Sequence, residues 1–79
     1  MKIFPNPVTD NFRVEWLNES NLEKLEIVDL LGRSVSFTQE YLSNGVNILL
    51  ENNISQGTYF LKVELENGKQ SFERFLVMK

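Results

Sequence analysis

Thr58-Tyr59-Phe60-Leu61-Lys62-Val63-Glu64-Leu65-Glu66, followed by Asn67-Gly68, is the stretch that decides the fold. Tyr59, Leu61, Val63 and Leu65 fall at every second position and alternate with Phe60, Lys62, Glu64 and Glu66. That is the repeat of an extended strand with one face on a core, whereas a helix would space its apolar residues three and four apart. Asn-Gly tolerates the positive φ of a type I′ hairpin turn. The chain is therefore expected to reverse at Asn67-Gly68 and return as a last strand from about Lys69 to Met78. Phe72 and Phe75 have opposite parity in that return, which calls for either a bulge between them or cover on both faces.

The same period continues upstream. Asn11–Trp16 puts Phe12, Val14 and Trp16 on one face and Arg13 and Glu15 on the other. Leu25–Val28 reads as a short strand, and Asp29-Leu30-Leu31-Gly32 as a tight turn that Gly32 closes with a positive φ. Arg33–Thr38 is the expected return, with Val35 and Phe37 together on one face. Ser43-Asn44-Gly45 marks a break, and Val46–Glu51 a further strand with Ile48 and Leu50 on the same side. Asn52-Asn53 interrupts it, and Ile54-Ser55-Gln56-Gly57 turns the chain into the strand quoted first. Ser20 and Glu23 have the spacing of a helix capping box, but the turn at Asp29 follows too soon for a helix of useful length. Ser20–Leu25 reads instead as a loop entering a strand. Six or seven short strands with regularly spaced turn signals describe an all-β chain, a small antiparallel immunoglobulin-like β-sandwich. Residues 1–79 read as one domain, with no internal repeat or linker.

Composition removes most chemistry. The chain has 79 residues, no cysteine and no histidine. That excludes a disulfide framework, a thiolate nucleophile and a thiolate zinc site, and it removes the usual general base. No enzyme activity, metal or cofactor is expected. The net charge is −3, and the eight basic residues are scattered with no two adjacent. A nucleic-acid surface needs clustered positive charge, and a membrane-binding run needs the same, so neither is expected. Met1-Lys2-Ile3-Phe4 runs into Pro5 with no apolar stretch of the kind found in a secretory signal peptide. No apolar run is long enough to cross a membrane as a helix.

Individual motifs have plain structural readings. Pro5-Asn6-Pro7 fixes two φ angles and removes two backbone donors, giving a rigid entry that discourages pairing at a sheet edge. Asp29 suits a turn residue whose carboxylate bonds nearby N–H groups, since no calcium-loop spacing of acids surrounds it. Glu40, Glu51, Glu64, Glu66 and Glu73 read as solvated positions rather than a glycosidase pair. Trp16, Tyr41 and Tyr59 could stack on a sugar; Trp16 is in register with the core, and Tyr41, placed in a loop, is the one expected to be exposed. Gly32 and Gly57 read as turn glycines and Tyr59 as a core aromatic.

Four of these segments, taken in order, carry a family resemblance. Ile3-Phe4-Pro5-Asn6-Pro7-Val8-Thr9-Asp10 resembles the opening of the C-terminal sorting domains of the bacterial type IX secretion system. Ile27-Val28-Asp29-Leu30-Leu31-Gly32-Arg33-Ser34-Val35 is similar to that family's hydrophobic-Asp-x-x-Gly-Arg/Lys-x-Val segment. Ile54-Ser55-Gln56-Gly57-Thr58-Tyr59 resembles its Leu-x-x-Gly-x-Tyr strand, and Arg74-Phe75-Leu76-Val77-Met78-Lys79 its Lys-Phe-x-Val-x-Lys terminus. Arg74 and Ile54 depart from the pattern but keep charge and apolarity.

The resemblance implies a non-catalytic address label, excised from a larger secreted protein. Its partners would be a covalently attached N-terminal cargo, the outer-membrane translocon, and a surface peptidase that removes the label and anchors or releases the cargo. It would pass through the periplasm to the cell surface or medium, without inserting into the membrane. Arg74, Phe75, Leu76, Val77, Met78 and Lys79, with Gly32, Arg33 and Val35, are the expected recognition residues. Pro5, Asn6, Pro7, Asp29, Gly57 and Tyr59 are expected to be structural. The competing reading is a carbohydrate-binding or adhesive immunoglobulin-like module, which needs an exposed aromatic strip.

Overall fold

The computed structural model describes residues 2–5, 7–15, 22–42, 45–51 and 53–78. These hold strands β1 (Lys2–Phe4), β2 (Asn11–Glu15), β3 (Leu22–Asp29), β4 (Phe37–Leu42), β5 (Gly45–Leu50), β6 (Gly57–Leu65) and β7 (Gln70–Val77). They form two antiparallel sheets, one ordered β1-β2-β5-β4 and the other β3-β6-β7. The expected all-β sandwich is the fold.

Alternation fills the space between the sheets. Phe12 and Val14 of β2 and Val46, Ile48 and Leu50 of β5 point inward from one layer. Ile27 of β3, Tyr59, Leu61, Val63 and Leu65 of β6, and Phe75 and Val77 of β7 meet them from the other. Phe75 sits at the centre of the aromatic packing, with its ring 4.8 Å from that of Phe12 and 5.9 Å from that of Tyr59. No buried polar or charged residue occurs among the described residues.

Several local expectations are corrected. The Asn67-Gly68 reversal is not type I′, because no non-glycine residue has positive φ and only Gly68, at φ +89°, does in that turn. Leu65 N–H donates to Lys69 O and Gly68 N–H to Leu65 O, which is a type I turn closed by a glycine bulge. Arg33–Thr38 is not a strand. Ser34 makes a single bridge to Val28, Val35 N–H donates to Ile27 O, and the chain then crosses to the other sheet, where β4 starts at Phe37. The strand after the Ser20 segment starts at Leu22 rather than Leu25. Tyr41 is exposed as expected but lies in β4, not a loop.

Neither expectation for the last strand holds. β7 pairs with β6 in one continuous register from Gly57↔Val77 to Glu64↔Gln70, with no bulge. It is covered on one face only: Phe75 is buried, while Phe72 points outward and is 62% exposed. Lys62 Nζ lies 5.9 Å from the centre of the Phe72 ring on that outer face.

Two further corrections concern the entry and the middle of the chain. Pro5 and Pro7 bracket a crossing rather than a straight lead-in: β1 precedes them, the Phe4–Pro5 peptide is cis, and Val8 then reaches the opposite sheet. Gly45 has no positive φ and is the first residue of β5, where β2 comes so close that a Cβ would collide with the Val14 carbonyl. Asn6, Trp16, Ser43, Asn44 and Lys79 lie outside the described residues.

Candidate recognition surface

The Asp29–Arg33 turn is built by one carboxylate. Gly32 takes φ +81°, which an L side chain rarely adopts, and its N–H donates to Asp29 O at 3.0 Å. Asp29 N–H closes the pair by donating to Arg33 O, also at 3.0 Å. Asp29 Oδ1 accepts the N–H groups of Leu31 and Arg33, each at 2.9 Å, while Oδ2 accepts Arg33 Nε at 2.9 Å. The Arg33 N–H is the largest influence holding the Asp29 carboxyl below its ordinary 3.8; the guanidinium and the Leu31 N–H act in the same direction, against a partial loss of hydration. Arg33 is thus turned back onto its own loop, and Val35 packs against the core. Leu30 and Leu31 project from the tip, 67% and 77% exposed.

A second corner stands beside the first. Tyr59, near the start of β6, donates its hydroxyl to the Ser55 carbonyl at 2.6 Å, four residues upstream. This is the tyrosine corner of immunoglobulin-like sandwiches, which pins the chain where it turns into a strand. Ile54 is buried beneath it, and Gly57 opens β6 opposite Val77. Between the two corners runs an open groove of about 460 Å³, with Asp29, Arg33 and Val35 on one wall and Ser55, Gly57 and Tyr59 on the other.

The end of β7 separates its residues by parity. Phe75 and Val77 are core residues, while Arg74, Leu76 and Met78 face solvent. Val8 closes this end of the strand edge: its N–H donates to Leu76 O and it accepts from Met78 N–H, both at 2.8 Å. In an antiparallel strand a residue turns its N–H and C=O to the same side, so Gln70, Phe72 and Arg74 also turn theirs away from β6. The segment around Val8 therefore pairs with one end of the β7 edge through its own N–H and C=O, whereas the sequence reading has the prolines discourage pairing at an edge.

The expected recognition residues thus fall in two places. Gly32, Arg33 and Val35 sit at the Asp29 turn, and Arg74 to Met78 lie on β7 and just beyond it. Two things escaped the sequence reading. Leu30 and Leu31 read in the sequence as turn residues, although two leucines at the corner of a turn are themselves a signal, since such positions are ordinarily polar. Val8 is fully buried and ties the two sheets together; an apolar residue isolated between Pro7 and Thr9 gives no periodicity to detect.

Residues 2–78 match the family described as the secretion system C-terminal sorting domain, that of type IX secretion. The chain belongs to this family. No curated protein and no solved structure matches it. Membership assigns the sorting domain its role as a type IX secretion signal, acting with the secretion system on a cargo N-terminal to it and destined for the cell surface or medium. Such domains are generally non-catalytic.

Proposed function

We propose that this sorting domain is a non-catalytic label that carries a covalently attached N-terminal cargo through the periplasm and the outer-membrane translocon, and is then removed by the surface peptidase. The outward residues at the end of β7, Arg74, Leu76 and Met78, with Lys79 after them, form the surface the machinery reads. The observation that supports this is the parity of the strand. Phe75 and Val77 are committed to the core, so among the described terminal residues Arg74, Leu76 and Met78 are the ones free to touch a partner. Gly32 serves the turn, and the Arg33 side chain stays exposed despite its bond to Asp29.

The test is an export assay. Residues 1–79 are fused behind a fluorescent reporter carrying an inner-membrane export signal and expressed in a bacterium with a type IX system. Surface and medium fluorescence are compared with a translocon-deficient strain and with a fusion carrying R74E, L76E and M78E. Export that needs the translocon and is lost in the triple variant supports the assignment, provided the variant keeps its thermal midpoint. Retention of the parent fusion in the periplasm, while a known sorting domain is exported in parallel, refutes it. Deleting Phe75–Lys79 would not discriminate, because it removes two core residues along with the outward face.

A further inference from the structure

We infer that Leu30 and Leu31 form an apolar knob that inserts into a concave apolar pocket on a protein of the type IX machinery. The inference rests on the sorting-signal reading above and adds a second contact, at the Asp29 turn.

The molecule contains its own control for this turn. Leu65–Lys69 has the backbone of Asp29–Arg33: in both, the first residue's N–H donates to the carbonyl of the fifth, and the fourth residue is a glycine donating to the carbonyl of the first. Gly32 and Gly68 have φ values of +81° and +89°. At the two corner positions the β6–β7 turn carries Glu66 and Asn67, the polar residues that solvent favours, while the Asp29 turn carries Leu30 and Leu31. The backbone geometry therefore does not require leucine. Neither does the core, because both side chains stand mostly in solvent.

The knob is also held in shape before it meets a partner. The Asp29 carboxylate accepts three hydrogen bonds from its own loop, one of them from the Arg33 guanidinium. A preorganised loop loses little freedom on docking, which is the condition under which a small apolar contact can carry affinity. Leu30 and Leu31 themselves line the groove, so a partner that takes up the tip also meets the groove wall.

Size and charge choose the partner. Two leucine side chains supply far less than the roughly 800 Å² per partner that a standard stable interface buries, so the tip does not suit a symmetric pair of copies. It suits an anchor in a pocket, supported by a wider interface elsewhere. A membrane is disfavoured by the surroundings: the chain carries a net charge of −3, Arg33 is neutralised by Asp29, and Glu51 lines the same groove. Apolar wedges that enter anionic surfaces ordinarily have basic flanks.

The experiment places the residues of the second turn on the first. L30E/L31N is compared with the parent fusion and with L30M/L31M in the export assay, alongside the thermal midpoint of each chain. The expected result is an unchanged midpoint, export reduced by roughly tenfold or more in L30E/L31N, as for loss of a buried anchor, and near-parental export in L30M/L31M. If L30E/L31N loses its fold, L30Q/L31Q takes its place in the comparison. Parental export by a folded polar variant overturns the knob and leaves the sorting assignment standing. Failure of the parent fusion to depend on the translocon overturns both. Binding of the chain to vesicles of outer-membrane lipid, or its dimerisation in sedimentation, that disappears in L30E/L31N would replace the protein pocket with a lipid surface or a second copy.

Discussion

Replacing Phe75 with alanine tests whether its motif position serves folding. The ring is 1% exposed and lies between Phe12 and Tyr59, at centroid distances of 4.8 and 5.9 Å. Truncating a buried phenylalanine costs about 3–5 kcal/mol, from lost burial and the cavity left behind. The two ring contacts, at ~0.5–1.5 kcal/mol each beyond area, place this site toward the upper end. A chain of 79 residues is stable by only about 4–12 kcal/mol, so the change consumes a large share. At ~4 °C or more per kcal/mol the thermal midpoint should fall by at least about 12 °C. Guanidinium titration followed by circular dichroism gives the free-energy difference directly, with an unchanged slope confirming the same unfolded state. Phe72→Ala is the matched control, the same side chain lost from the outer face of the same strand, and should cost no more than about 0.5 kcal/mol. Equal losses at the two positions, or less than ~1 kcal/mol at Phe75, would refute the parity assigned to β7.

Three other substitutions probe separate joints. Tyr59→Phe keeps the ring and removes the bond to Ser55 O, and should cost about 0.5–1.5 kcal/mol in the same titration. Gly45→Ala drives a Cβ into the Val14 carbonyl, so β2 and β5 must separate; a loss of about 1–3 kcal/mol is expected, and a neutral outcome would mean that the strands are not so close. Asp29 has its carboxyl held below 3.8, so its contribution is present above that pH and disappears as pH falls through the lower folded value. Acid-unfolding curves of the parent and Asp29→Asn should therefore differ above pH 3.8 and converge below it; a constant offset at every pH counts against the ion pair.

The strands were legible because alternation is a local signal. Tyr59 to Leu65 and Phe12 to Val14 declare their inward face residue by residue, and the structure keeps it. What could not be read is where partners come from. Arg33–Thr38 looks like the return arm of a hairpin, yet only a single bridge at Ser34, made by the backbone bonds of Arg33 and Val35, ties it to β3 before the chain leaves for the other layer. Nothing in the spacing distinguishes staying from crossing, since both keep Val35 and Phe37 on the core side. Phe72 misled for a different reason: a lone large aromatic implies burial, but in the continuous β6–β7 register it lands opposite Lys62 on the solvent face. At the candidate surface the segments were legible and their division of labour was not. Burial alone separates Phe75 and Val77 from Arg74, Leu76 and Met78.

That division changes how the family's motif positions are to be interpreted. Asp29, Gly32 and Arg33 are bound to one another, Tyr59 is bound to Ser55, and Phe75 and Val77 are enclosed. Each supplies a joint that the sandwich needs at a place where periodicity alone would not hold it: a crossing corner, a strand entry, a closing edge. Loss of export after mutating one of them therefore reports first on folding. Residues beside the joints that the fold leaves free, Leu30 and Leu31 just beyond β3 and Arg74, Leu76 and Met78 on and just beyond β7, are where loss of export at unchanged stability would identify a contact.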